Sequence, residues 1–184
     1  ALAVWPDCAQ AYKVLWDNYE SDPQLSVALL RLAVQAAQRA IGEQRLTALW
    51  GRYASDPDAF ELLRFEASLA LMARAIDLLD EAIAWAEAVV HHDGRDPLHM
   101  RFIWVSCLLE AQEPERTIKA YGVVQDGLDL KDAHTDWWLF YRALVLFQLN
   151  GDNRRSREAL AAALARGPML AAALLSDAAV MLAE

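Results

Sequence analysis

The sequence predicts an all-α fold, a tetratricopeptide-like right-handed solenoid of antiparallel helix pairs, from its punctuation, its apolar spacing and one repeat-like segment. Seven Gly and six Pro punctuate 184 residues, too few for a turn-rich β protein. Hydrophobic residues make up 56%, and much of that share is Ala, the best helix former. Strand-like alternation is essentially missing, and apolar residues recur at helical intervals instead.

Each element follows from a break. Asp22-Pro23, Asp56-Pro57 and Asp96-Pro97 place an Asp where an N-cap is needed and a Pro at the first helical position. Glu113-Pro114 and Gly167-Pro168 make similar breaks. Helices are therefore expected over 6–19, 23–41, 43–53, 57–74, 78–91, 97–111, 114–127, 135–149, 153–166 and 168–183. In the helix over 135–149, Trp138, Tyr141 and Val145 form one apolar stripe. Trp137, Phe140, Leu144 and Phe147 form a second beside it. A helix apolar on two sides is expected between neighbours, as an inner helix of a repeat array.

The last helix pair carries the repeat signal. Phe140, Ala143, Leu144, Phe147, Gly151, Ser156, Leu160, Ala163 and Pro168 fall at tetratricopeptide offsets. Bulky residues meet the next pair, Gly151 turns the chain through a left-handed conformation, and small Ser156 and Ala163 admit the second helix. A weaker match runs through Phe65, Ala70, Ala73, Ala82, Ala86 and Val89. Another runs through Trp104, Val105, Leu108, Thr117 and Tyr121. Both lack the turn glycine; Asp77 and Gln112 stand near its place. The chain is read as one helical-repeat domain over 1–184. Its opening Ala1-Leu2-Ala3-Val4-Trp5 reads as the last turn of an earlier helix, so a piece of a longer protein is expected.

Composition excludes several functions. A formal charge of −9 opposes nucleic-acid binding, which needs a dense basic face. The basic cluster Arg154, Arg155 and Arg157 is short, and Glu158 follows it. The most apolar stretch, 169–183, is shorter than the about 20 residues of a membrane span and contains Ser176 and Asp177. No secretory signal opens the sequence. Cys8 and Cys107 make neither a disulfide framework nor a CxxC site, and are expected buried and reduced, in the cytoplasm.

Several segments in order resemble a known family. Ala1-Leu2-Ala3 leads to Pro6-Asp7-Cys8-Ala9-Gln10-Ala11-Tyr12, then a long helix ends in Ala40-Ile41-Gly42. Leu49-Trp50-Gly51, Leu69-Ala70-Leu71-Met72, Asp80-Glu81-Ala82-Ile83 and Ser106-Cys107-Leu108-Leu109-Glu110 follow. Tyr141-Arg142-Ala143-Leu144 and Arg166-Gly167-Pro168 complete the series. Together these are similar to the tetratricopeptide-like region of the suppression-of-tumorigenicity proteins and their bacterial relatives. The sequence departs from that pattern at Asp93-Gly94-Arg95-Asp96-Pro97, where relatives tend to carry an asparagine-rich turn. The resemblance implies a scaffold or interaction role and brings no catalytic residues. Some relatives carry a zinc-binding tail; this chain has no cysteine-rich tail, so no zinc is implied.

Chemistry-bearing candidates are few. His91, His92, Asp93, Asp96 and His99 cluster near a helix end and could suggest a metal site. Adjacent histidines diverge on a helix, however, and a helix C-terminus favours histidine without any metal. Asp77, Asp80, Glu81 and Glu87 read more readily as a solvated face than as paired catalytic carboxylates. There is no GxSxG, GxGxxG, P-loop or HExxH motif. The expectation is a binding protein rather than an enzyme, with no cofactor and no metal. Its partner is expected to be a protein or peptide segment, basic or neutral given the acidic net charge, held on a concave helical surface. Tyr12, Trp50, Arg101, Trp137 and Tyr141 are the expected contact residues. Of the other tryptophans, Trp16, Trp85 and Trp104 are expected to fill space between helices. A second reading is a homodimer through the terminal helix 168–183.

Overall fold

A computed structural model of the chain describes residues 8–18, 22–130 and 134–167. These are helical: nine α-helices are found among them, and no strand. The expected helix 168–183, and with it the proposed dimer contact, lies outside the described residues. So do Trp5, Pro6 and Pro168. No helix among the described residues is long and apolar enough to cross a membrane.

The chain divides into two compact units, Ala1–Cys107 and Leu108–Glu184. In the first unit, α1 (Ala9–Asn18) packs on α2 (Pro23–Ile41), which packs on α4 (Pro57–Ala75). The short α3 (Glu43–Ala48) lies between α2 and α4 in sequence, and α5 (Leu79–His92) pairs with α4. Helix α6 (Met100–Glu110) reaches across the division in sequence. In the second unit, α7 (Pro114–Asp129) packs on α8 (Thr135–Asn150), and α8 on α9 (Arg154–Arg166). Helices thus pack with their neighbours in sequence.

The Asp-Pro starts work as their chemistry suggests. Asp22 accepts a hydrogen bond from the Leu25 amide at 3.1 Å, and Asp56 from the Asp58 and Ala59 amides, both at 3.1 Å. Pro23 and Pro57 occupy the first helical turn, where no amide is missed. Asn153 and Ser156 close a reciprocal capping box at the start of α9. Asp96-Pro97 behaves differently and corrects the expected start of α6. Asp96 adopts φ +52°, and its carboxylate reaches forward to the amides of Met100 (2.6 Å) and Arg101 (3.0 Å). The helix therefore begins at Met100, after a turn over 97–99. The expected helix 43–53 also ends early, at Ala48. Gly51 takes φ +78°, and a 3-10 turn over Tyr53–Ser55 brings Tyr53 inward.

The core follows the repeat positions. Phe65, Ala70, Ala73, Ala82, Ala86 and Val89 are all buried, as are Trp104, Val105, Leu108 and Thr117. Small residues at Ala70, Ala73, Ala82 and Ala86 let α4 and α5 approach closely, while Leu62, Leu63 and Leu69 fill the space around them. Each such large apolar side chain contributes roughly 1.5–3 kcal/mol on burial. Cys107 is buried as expected, whereas Cys8 is only half-buried. The two stripes of α8 divide: Trp138 and Val145 are buried, while Trp137, Leu144 and Phe147 are exposed, Phe147 by 54%. Trp138 and Trp137 thus point apart, as neighbours on a helix must.

Three interhelical turns share one backbone device. Asp77 between α4 and α5 has φ +60°, Gln112 between α6 and α7 has φ +54°, and Gly151 between α8 and α9 has φ +70°. The two residues standing near the place of the glycine share its positive φ. An L-residue there costs about 1–2 kcal/mol, and glycine regains part of it after its own entropy loss. Gln112→Gly is therefore expected to stabilise the protein by about 0.5–1 kcal/mol. A urea denaturation midpoint that falls instead of rising would contradict this.

Candidate functional site

A cavity of about 580 Å³ lies in the first unit, between the end of α2, α3 and the loop that follows it. Gln35, Gln38 and Arg39 supply one wall; Glu43, Thr47 and Trp50 supply another. Gly42, at φ +82°, lets the chain turn sharply from α2 into α3, so the walls come from consecutive segments. Trp50 is 61% exposed. Water contact on that scale is costly for an indole unless something else holds or uses it.

What holds it is a buried polar anchor behind the cavity. The Trp50 ring meets the His92 imidazole edge to face, with centroids 4.9 Å apart. Tyr53 stacks on the same imidazole at 4.6 Å, nearly parallel. His92 Nδ1 lies 2.7 Å from Glu66 Oε2, and Glu66 is fully buried on α4. The second carboxylate oxygen, Oε1, has no hydrogen-bond partner. Burial, aided by the nearby Glu66 carboxylate, raises the Tyr53 phenol above its ordinary range.

Asp93 fastens the same loop. Its Oδ2 accepts from the Ala54 amide at 2.7 Å, and Arg95 bonds both oxygens at 3.0 and 2.9 Å. Burial alone would raise its carboxyl, but the bonds from Arg95 and the amides of Ala54 and Arg95 outweigh it and hold it below the usual range. Gly94 donates its amide to the Gly51 carbonyl at 3.3 Å, and Arg52 forms an isolated bridge with Asp93. The segment carrying Trp50 is thereby tied to the end of α5.

The five expected contact residues fall in different settings. Trp50 borders the cavity. Tyr12 is buried in α1. Arg101 is buried too, and its guanidinium serves the local turn: Nη2 donates to the Gly94 carbonyl at 3.0 Å, and Nη1 lies 3.6 Å from Asp96. Neither presents a free contact surface. In the second unit, Trp137 is 39% exposed and meets Phe140 edge to face at 6.3 Å. Tyr141 lies beside the same Phe140 ring, with centroids 6.0 Å apart. Trp137 and Tyr141 are thus brought together through Phe140. The apolar face of α8 continues to Leu144 and Phe147, which border a second cavity of about 520 Å³ with Leu109, Gln112 and Thr117.

The histidine and aspartate cluster separates into structural tasks. His92 bonds Glu66, His91 packs edge-on against Trp104 at 6.0 Å, and Asp93 and Asp96 bind amides and arginines. Among the described residues, no three His, Cys, Asp or Glu are grouped to hold a metal. In the cluster 154–158, Arg154 pairs with Glu158 at 2.6 Å, and Arg157 pairs with Asp152 at 2.6 Å.

Comparison with models of known protein families finds no match, and comparison with curated proteins also finds none.

Proposed function

We propose that the chain is an interaction module that binds a protein or peptide segment, and that its helix pairs are degenerate tetratricopeptide-like units of a right-handed array. The observation that carries the binding reading is Trp50, an indole 61% exposed yet held in place by packing on a hydrogen-bonded imidazole. A pre-positioned tryptophan at the edge of a cavity is what a partner's side chains can bury against with little ordering cost. The left-handed turns at Asp77, Gln112 and Gly151 support the repeat reading. So does the resemblance to the tetratricopeptide-like region of the suppression-of-tumorigenicity family. Nothing in the site groups a nucleophile with a base, so the reading is a scaffold rather than a catalyst.

The test is selection of binders from a displayed random-peptide library on the 184-residue chain, followed by titration of purified peptides. Trp50→Ala is expected to raise their Kd by about tenfold or more, the loss of a central aromatic anchor. Unchanged affinities in a folded Trp50→Ala protein would remove the site.

A further inference from the structure

We infer that the Trp50 cavity is a cradle for a cationic side chain, arginine above all, carried on an extended stretch of the partner. This rests on the peptide-binding reading above and adds what the site selects.

The argument is an inventory of unspent groups. Trp50 offers an exposed indole, and the face of an indole attracts a guanidinium through its quadrupole. Glu43 borders the same cavity, and its carboxylate has no ion pair among the described residues. Gln35 and Gln38 stand one helical turn apart on exposed and half-exposed positions of α2, and their side-chain amides bond to nothing among the described residues. Amides both donate and accept, so they match the peptide groups of an extended chain.

The cations nearby are already engaged. Arg39, on the cavity wall, has an interaction of its own. Arg45 pairs with Asp56 and with Asp58. Arg52 turns one N–H to the Ala48 carbonyl at 3.0 Å. Glu43 is the acidic residue on the wall and has no ion pair among the described residues, so the ligand that complements it is positive. An arginine placed between the indole and that carboxylate gains a cation–π contact and a planar donor pair at once, which a lysine matches only in part. The net charge of −9 adds a long-range attraction of the same sign.

The experiment uses four capped pentapeptides, glycine throughout except for a central arginine, citrulline, norleucine or glutamate. Binding is read from the Trp50 indole N–H resonance, assigned by its loss in Trp50→Phe. The arginine peptide is expected to bind about five- to tenfold more tightly than citrulline, its uncharged near-isostere. That preference is expected to weaken in high salt and to collapse in Glu43→Gln. Equal binding of arginine and citrulline peptides would overturn the cation cradle while leaving Trp50 as a peptide anchor. So would tighter binding of the glutamate peptide, or no shift of the indole signal with any of the four. Failure of the broader reading shows elsewhere, as library-selected peptides indifferent to Trp50→Ala.

Discussion

Replacing His92 by leucine is expected to destabilise the first unit by about 3–5 kcal/mol, the cost of stranding a buried charge by removing its partner. Glu66 is fully buried, and its one hydrogen bond runs to His92 Nδ1 at 2.7 Å. The other oxygen already lacks a partner. Without the imidazole, neither oxygen would have a donor, and Tyr53 and Trp50 would lose the ring on which they pack. The second arm of the experiment is Glu66→Leu in the same background. Removing both polar partners from an apolar setting is often neutral, so the double variant is expected to recover most of the loss. Urea unfolding measures both. A His92→Leu cost below about 1 kcal/mol, or a double variant no better than the single one, would show that the pair does not anchor this loop.

Much of that fold is legible in the sequence because helix signals are local. Asp22-Pro23 and Asp56-Pro57 need only their own side chains and the next few amides to start a helix. Gly151 and the Asp77 and Gln112 positions are legible for the same reason, since a left-handed residue closes a short turn. Asp96-Pro97 carries the same letters with a different outcome, because the carboxylate bonds amides four and five residues ahead rather than two or three. The candidate site is harder to read, since it depends on pairings distant in sequence. Glu66 sits on the core face of α4 between Leu62 and Leu69, a charge in an apolar stripe that signals a buried partner. Nothing local says that the partner is His92, 26 residues later. Trp50 is visible as an aromatic beside a helix end. Arg101 and Tyr12 show the opposite failure: residue types common in grooves, here consumed by a turn and a core.

Glycine to alanine at two positions of one helix is expected to give opposite signs. In α7, a Cβ on Gly127 would fall 2.5 Å from the Cδ2 and Cε2 atoms of Trp138 and 2.7 Å from its Cζ2. The indole cannot swing aside cheaply, because Trp138 is 1% exposed and enclosed by the second unit's core. Either α7 and α8 move apart or the ring leaves its rotamer, and overpacking of this kind costs about 1–3 kcal/mol and sometimes more. The helix propensity gain of about 1 kcal/mol opposes it but does not cancel three clashes at once. Gly127→Ala should therefore lower stability by about 2 kcal/mol. At Gly122, in the same helix, an added Cβ meets nothing within 4 Å. There only the propensity term remains, so Gly122→Ala should raise stability by about 1 kcal/mol. Paired urea unfolding curves decide the matter. If Gly127→Ala were as stabilising as Gly122→Ala, the close approach of α7 to the Trp138 ring would be wrong, and with it the packing that joins α7 to α8.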